Sequence, residues 1–224
     1  MTTDNNFYIA CLDLTRKRCL VVGAGPVGLE KIGGLLNAGA EVVVVAPEAM
    51  DEVQGLADAN LIELRARPYR ASDLDGCFLV IAATSRTELN RLVHAEADAR
   101  DMLVNVADVP ELCNFILPAI YRHGPLAIAI STAGASPALA QRMKHEAADT
   151  FDEAYARLAA ILQQLRPWAK ANLPTYADRK RFFDGIVNGS PDPVELIREA
   201  RWAEFDSLVE RERAAVLNSL ANAS

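Results

Sequence analysis

The sequence of 224 residues predicts an α/β protein, in which a parallel sheet covered by helices precedes a short strand-and-loop segment and a carboxy-terminal helical domain. Three observations favour this class. Short β-branched runs alternate with helical patterns over residues 16–112, a glycine-rich turn joins the first strand to the first helix, and the chain beyond residue 137 is helical and polar. We expect a Rossmann-type domain over 1–112, a small segment over 113–149 and a helical domain over 150–224.

The elements of the predicted sheet follow one another at the loop lengths typical of βαβ units. The second strand, Glu-Val-Val-Val-Val-Ala, is apolar on both faces, as a buried parallel strand should be. We expect strands at residues 20–22, 41–46, 61–65, 78–83 and 103–106, and helices at 26–37 and 87–100.

Beyond the sheet, an aliphatic strand at 126–130 leads into the small-residue loop 131–136. Ser136 is a natural N-cap, and Pro137 occupies the favoured first turn of the next helix. Further along, Pro167 and Pro174 are expected to interrupt the helical pattern, and residues 189–193 to precede the final helix.

Composition excludes several classes of function. A net charge of −7 and 6% aromatic residues disfavour a nucleic-acid partner. The four cysteines form no C-x-x-C pair, which gives neither a zinc site nor a disulfide framework. Without a signal peptide or an apolar run of about 18 residues, the chain is expected to be soluble and cytoplasmic, with no membrane partner.

The strongest local motif is Gly23-Ala-Gly25-Pro-Val-Gly28, between a strand and a helix. In this fingerprint the first glycine makes the tight turn, the second admits a pyrophosphate, and the third lets helix and strand pack closely. The amides at the helix N-terminus then face the phosphates. The context favours a dinucleotide; the alternative is a glycine turn that binds nothing.

An acidic residue at the end of the second strand usually holds the adenosine ribose. Here Glu48 comes one or two residues late, after Pro47. Because no arginine follows closely to meet a 2′-phosphate, we expect NAD as the cofactor and not NADP.

Several ordered motifs resemble the precorrin-2 dehydrogenase/sirohydrochlorin ferrochelatase family of sirohaem biosynthesis. The more specific ones are Asn-Val-Ala-Asp, ending at Asp108, and Ile-Ser-Thr-Ala-Gly-Ala-Ser-Pro, ending at Pro137. The resemblance covers about residues 7–145, and only the helical character of the tail continues it. The other motifs lie at residues 19–28 with Lys31, at 36–47, at 81–85 with Asn90, and at 115–118.

The resemblance implies NAD-dependent oxidation of precorrin-2 to sirohydrochlorin, with Fe²⁺ inserted afterwards as a substrate in bifunctional members. It also implies a homodimer, whose contacts come from the segment after the cofactor domain. Asp108 corresponds to the catalytic aspartate, and Asn105 is assigned to the substrate. The cofactor contacts implied by the resemblance are Pro26, Val27, Pro47 and Glu48, and Thr84 is a further candidate for binding the cofactor.

The chemistry gives Asp108 two alternative roles. It follows a predicted strand at the carboxyl edge of the sheet, where a carboxylate partly desolvated by a macrocycle becomes a general base. Alternatively, Asp108 merely begins a turn before Pro110. The family resemblance favours the base.

A polycarboxylate substrate requires local positive charge in an acidic protein. Arg142 is assigned to this role, although a solvated helix face is the alternative for any single residue. The loop that contains Ser131, Thr132 and Ser136 can offer amides and hydroxyls to an anion. One branch of the family carries a phosphorylated serine in this loop; the residue here is Thr132, which leaves that regulation open. Further candidate clamps are Arg122, Lys144, Arg179, Lys180 and Arg181.

The histidines His94, His123 and His145 are isolated, so we expect no metal held by the protein itself. His145 is the one to test for the approach of iron. Two alternatives stay open at this stage. One is a dehydrogenase without chelatase activity, and the other is a regulatory module that senses NAD without turnover.

Overall fold

The computed structural model describes residues 7–222, and internal contacts divide the chain into two units between Leu117 and Pro118. In the described part of the first unit, a parallel five-stranded sheet has the order β3-β2-β1-β4-β5. This is the strand order of a Rossmann fold, as predicted. Its strands are β1 (Arg18–Ala24), β2 (Glu41–Ala49), β3 (Glu63–Arg65), β4 (Leu79–Ala82) and β5 (Leu103–Val106).

Helices cover both faces of this sheet. Successive side chains of the central strands point to opposite faces, so each face has its own apolar layer. Val21 packs in the layer with Ile32, whereas Val22 packs in the layer with Val93. Each layer is a separate apolar core. The helices of this unit are α1 (Pro26–Asn37), α2 (Asp51–Asp58) and α3 (Thr87–Asp98).

The second unit begins with an antiparallel hairpin of β6 (Ala119–His123) and β7 (Leu126–Ile130). Gly124, with a φ of 54°, supplies the left-handed residue of the two-residue turn. Strand β7 lies where the sequence predicts it, whereas β6 and α2 were not predicted. The three-segment division of the chain stays a prediction.

Five helices complete the second unit, and most of them share one apolar core. Ser136 caps the first of them, since its Oγ accepts a hydrogen bond from the amide of Leu139 at 3.1 Å. None of the helices within residues 7–222 is long and apolar enough to span a membrane. The helices are α4 (Pro137–Thr150), α5 (Glu153–Asn172), α6 (Tyr176–Val187), α7 (Pro193–Arg198) and α8 (Trp202–Ala221).

The expected interruption at Pro167 is wrong, because this proline lies inside α5. A proline in a helix interior loses one hydrogen bond and costs about 3 kcal/mol. Leu158 before it and Ala169 after it are both buried in the same core. Burial on both sides of Pro167 therefore holds the helix together across it.

Candidate functional site

The turn from β1 into α1 is packed so closely that two glycines beside it, one at the end of β1 and one in the first turn of α1, admit no side chain. A Cβ on Gly23 would lie 2.4 Å from the carbonyl oxygen of Ala83, and a Cβ on Gly28 would lie 2.2 Å from that of Gly23. Gly23 also has a φ of 110°, which L-residues rarely adopt. These glycines let the loop rest on the end of β4 and let α1 rest on the loop.

The middle glycine has open space in front of it. Among the described residues, no heavy atom lies within 4 Å of a Cβ built on Gly25. Gly25 is the N-cap of α1, and none of the described side chains accepts a hydrogen bond from this helix end. Helix N-terminal amides beside open space fit a pyrophosphate, which a Cβ at Gly25 would obstruct.

The late position of Glu48 is explained by the register of β2. Val22 pairs with Val45, whereas Ala24 pairs with Ala49, so β2 uses four residues where β1 uses two. The extra residues belong to an irregularity that keeps β2 beside the glycine loop. Glu48 is exposed on this extension, one residue before the partner of Ala24, so its carboxylate is available to a ribose near the loop.

The loop after β4 is organised by a buried asparagine. Asn90 is only 5% exposed, and its Nδ2 donates to the carbonyl of Thr84 at 2.9 Å. The hydroxyl of Thr84 donates to Asn90 Oδ1 at 2.7 Å and accepts from the amide of Arg86 at 3.1 Å. The Thr84 hydroxyl is thus engaged within the loop, and its predicted contact with the cofactor stays a prediction. Asn90 was not predicted as a site residue, although it appears in the sequence as part of the motif with residues 81–85.

Asp108 lies in a tight turn directly after β5. The amide of Val109 donates to the carbonyl of Val106 at 3.2 Å, and Asp108 inside this turn has a φ of 61°. Its carboxylate is exposed at the carboxyl edge of the sheet, the edge that also bears the glycine loop.

Asn105 is buried in β5, and its side-chain Nδ2 donates to the carbonyl of Phe115 at 3.0 Å. Its assignment to the substrate stays a prediction.

In the second unit, residues 131–136 form a loop held by its own hydroxyls. Thr132 Oγ1 donates to the carbonyl of Ser136 and accepts from the Ser136 amide, both at 3.1 Å. Ser131 Oγ accepts from the amide of Ala133 at 3.1 Å. Ala133 and Gly134 have φ values of 51° and 84°, so the loop takes a left-handed bend. Strained backbone of this kind is common where a loop is shaped for a ligand.

The basic side chains that the sequence proposes for binding substrate carboxylates have different partners in the structure. Arg142 is exposed, and its Nε donates to Glu146 at 2.8 Å. Arg179 donates to the carbonyl of Leu173 at 2.7 Å and so closes the end of α5. Lys180 pairs with Asp184. Within the described chain, no group of three or more His, Cys, Asp or Glu side chains is arranged to hold a metal ion.

The strand order and the glycine loop define a dinucleotide-binding Rossmann domain. Family models match three consecutive regions: a putative NAD(P)-binding domain at residues 10–119, the central region of sirohaem biosynthesis proteins at 123–146, and the sirohaem synthase dimerisation region at 154–212. These matches assign the three regions of the chain, in this order, to the NAD(P)-binding, central and dimerisation regions of proteins of sirohaem biosynthesis.

Individual relatives agree with this assignment. The chain is 37% identical to a siroheme synthase of Nitrosococcus oceani over 80% of the present chain. It is 41% identical to a siroheme synthase of Pseudomonas entomophila over 84% of the present chain. It spans about two fifths of the length of these curated relatives. Among solved structures, "SirC, precorrin-2 dehydrogenase" is similar with a TM-score of 0.76 and 27% identity, over 92% of this chain and 100% of that chain.

Proposed function

We propose that the chain oxidises precorrin-2 to sirohydrochlorin with NAD as the hydride acceptor. The observation that carries this proposal is the likeness to the precorrin-2 dehydrogenase structure, which this chain covers completely. The siroheme synthases are much longer, so their name alone does not locate an activity in the matched part. The solved dehydrogenase matches this chain over its whole length. The activity in the name of that protein therefore needs no domain beyond those matched here.

The first unit supplies what a nucleotide-dependent oxidation requires. The amides at the start of α1 and the space at Gly25 would hold the pyrophosphate, and Glu48 would accept hydrogen bonds from the ribose hydroxyls. The carboxylate of Glu48 would also repel a 2′-phosphate, which supports NAD. When bound, NAD accepts a hydride from the macrocycle.

Loss of a hydride leaves the macrocycle with one proton to release. We assign the acceptance of this proton to the carboxylate of Asp108, which the turn after β5 exposes at the nucleotide edge of the sheet. In the second unit, the loop 131–136 and Arg142 are our candidates for binding the carboxylates of the substrate, since the loop is bent and Arg142 is exposed.

Assembly and location are part of the same proposal. The match to a dimerisation region at 154–212 supports a homodimer. The four cysteines are all free thiols in the described structure, which supports a reducing compartment such as the cytoplasm.

Iron insertion is a second candidate activity, favoured by the name of the curated relatives, whose product sirohaem is an iron chelate. Here Fe²⁺ is a substrate, and Asp108 is also the candidate acceptor for protons lost by the ring nitrogens. Anaerobic incubation of sirohydrochlorin, Fe²⁺ and the protein tests this activity. Formation of sirohaem no faster than in a protein-free control means a dehydrogenase without chelatase activity.

The dehydrogenase itself is tested by adding precorrin-2 and NAD to the protein under anaerobic conditions. We expect one NADH, followed at the nicotinamide absorbance, for each sirohydrochlorin formed. Binding of NAD without any turnover would contradict the proposal and favour a regulatory module that senses NAD. A parallel reaction with NADP measures the preference that Glu48 is proposed to set.

A further inference from the structure

Residues 113–115 act as an irregular partner for the outer edge of β5, which within the described structure has β4 on one side and no strand on the other. The amide of Val104 donates to Asn114 Oδ1 at 2.8 Å, and the amide of Asn114 donates back to the carbonyl of Val104 at 3.1 Å. Asn114 Nδ2 donates to the carbonyl of Met102 at 2.7 Å. Side chains therefore satisfy backbone groups that a neighbouring strand would otherwise pair.

The thiol of Cys113 lies where β5 turns towards Asp108. Its Sγ is 3.2 Å from the amide nitrogen of Val106, 3.3 Å from the Val106 carbonyl oxygen and 3.4 Å from the Val109 carbonyl oxygen. A thiol has one proton, so it donates to one carbonyl at a time while it accepts from the Val106 amide. Val106 and Val109 are the first and last residues of the turn that contains Asp108. One sulfur atom thus contacts both ends of this turn.

The turn requires such support because its backbone is strained. Asp108 adopts the left-handed region with a φ of 61°, a conformation that is unfavourable for non-glycine residues, although less so for aspartate than for most. Such conformations persist only where the surroundings over-determine them. Burial raises the pKa of the Cys113 thiol, which therefore keeps its proton and its donor capacity at neutral pH.

We propose that Cys113 is a positioning residue, whose thiol fixes the turn that presents the Asp108 carboxylate for the reaction. This inference rests on the proposed function, since it gives Asp108 the role of proton acceptor. Cys113 acts through the backbone at Val106 and Val109, and its sulfur also accepts a hydrogen bond from Asn105 Nδ2 at 3.5 Å.

The test compares Cys113→Ala with Cys113→Ser and with Cys77→Ala in the anaerobic dehydrogenase assay. Cys77 is a matched control: it is half-buried, burial also raises its pKa, and its thiol donates to the carbonyl of Asp73 before β4, at the opposite end of the sheet. We expect kcat of Cys113→Ala to fall about tenfold or more, because small misplacements of a reacting group cost up to about a hundredfold. Cys77→Ala should keep the wild-type kcat.

The split between kcat and NAD binding separates positioning from a general loss of structure. In Cys113→Ala the Kd for NAD should stay within about twofold of wild type, since the turn is not part of the glycine loop. Cys113→Ser, whose hydroxyl also donates and accepts, should recover part of the lost kcat. Amide exchange should accelerate at Val106 and Val109 in Cys113→Ala and stay unchanged at Val21 in β1.

The outcomes distinguish this inference from the proposed function. A wild-type chain that forms no NADH from precorrin-2 overturns the proposed function and, with it, any role of Cys113 in it. An active wild type with an equally active Cys113→Ala overturns the positioning role alone. Equal losses of kcat and NAD affinity, or faster exchange throughout the sheet, also overturn it by showing that the thiol only stabilises the domain.

Discussion

Gly23 and Ala83 meet without room for a side chain, since a Cβ on Gly23 would lie 2.4 Å from the carbonyl oxygen of Ala83. This contact joins the end of β1 to the loop after β4, its neighbour in the sheet, at the edge where a Rossmann sheet binds its nucleotide. The packing of the sheet therefore requires glycine at position 23, whether or not a nucleotide is bound.

Substitutions at Gly23 and Gly25 should separate these two requirements. Gly23→Ala introduces a clash and a strained φ, so we expect a loss of about 2–4 kcal/mol in the free energy of unfolding together with loss of NAD binding. The added Cβ of Gly25→Ala meets no heavy atom of another described segment within 4 Å, so the free energy of unfolding should stay within about 1 kcal/mol of wild type, whereas NAD should bind at least tenfold more weakly. Urea unfolding and calorimetric titration measure both. Unchanged NAD affinity in Gly25→Ala would mean that the pyrophosphate lies elsewhere.

Asp108→Asn should remove the proton acceptor without disturbing the turn, because asparagine tolerates a positive φ as well as aspartate does. We expect the dehydrogenase kcat to fall at least about a hundredfold, the usual worth of a general base. The Kd for NAD should not change. Asp108→Ala should abolish turnover as well, and its left-handed backbone adds strain. Wild-type turnover in Asp108→Asn would remove Asp108 from the mechanism.

Glu48→Gln should weaken NAD binding about tenfold, since hydrogen bonds to a charged acceptor contribute about 1.5–3 kcal/mol. The loss of the negative charge should also narrow the preference for NAD over NADP. Glu41→Gln is the matched control: Glu41 is also exposed but lies at the other end of β2. Titrations of the variants with both nucleotides measure the effect. Equal losses in both variants would show a non-specific effect of charge.

Hydrophobic patterning and the glycine fingerprint are local signals, and they correctly predict the sheet, α1 and β5. The two extra residues of β2 were not predictable, because the irregularity opposite Ala24 depends on the pairing of two distant segments. Pro167 shows the converse: a strong local breaking signal is overridden by burial of Leu158 and Ala169 in one core. Strand β6 went unpredicted because only its pairing with β7 distinguishes it from a loop.

Sequence reasoning likewise finds some residues of the candidate site and misses others. The glycines and Asp108 are marked by residue type and by position after a strand, so sequence reasoning reaches them. Cys113 acts through backbone atoms of another segment, and no spacing rule connects it with Val109, whereas Asn90 is marked only as part of the motif with residues 81–85. In the sequence Cys113 is one of four cysteines that form no C-x-x-C pair, and no motif gives it a role. Only the three-dimensional contacts of Cys113 reveal what its thiol holds.

The buried carboxylate of Asp73 makes the stability of the first unit depend on pH. Its side chain is 1% exposed and accepts from Arg65 Nη1 and Arg67 Nη2, both at 2.6 Å, and from the amide of Arg70 at 2.9 Å. These donors, the Arg67 guanidinium first among them, hold the pKa of Asp73 well below its usual range. The carboxylate therefore stabilises the fold above the unfolded-state pKa of about 3.9, and this stabilisation disappears as the pH falls towards the folded-state pKa.

Asp73→Asn should accordingly lower the free energy of unfolding by about 3–5 kcal/mol at pH 7, because it leaves two arginines without their buried partner. The difference from wild type should shrink as the pH drops below about 4, because the unfolded wild-type chain then binds a proton at Asp73 that the folded chain still excludes. Urea unfolding between pH 7 and pH 3 measures it. Asp75→Asn, an exposed neighbour, is the control and should stay within about 0.5 kcal/mol of wild type. A difference that stays constant down to pH 3 would contradict the assignment, since it would show that the charge on Asp73 contributes nothing to folding.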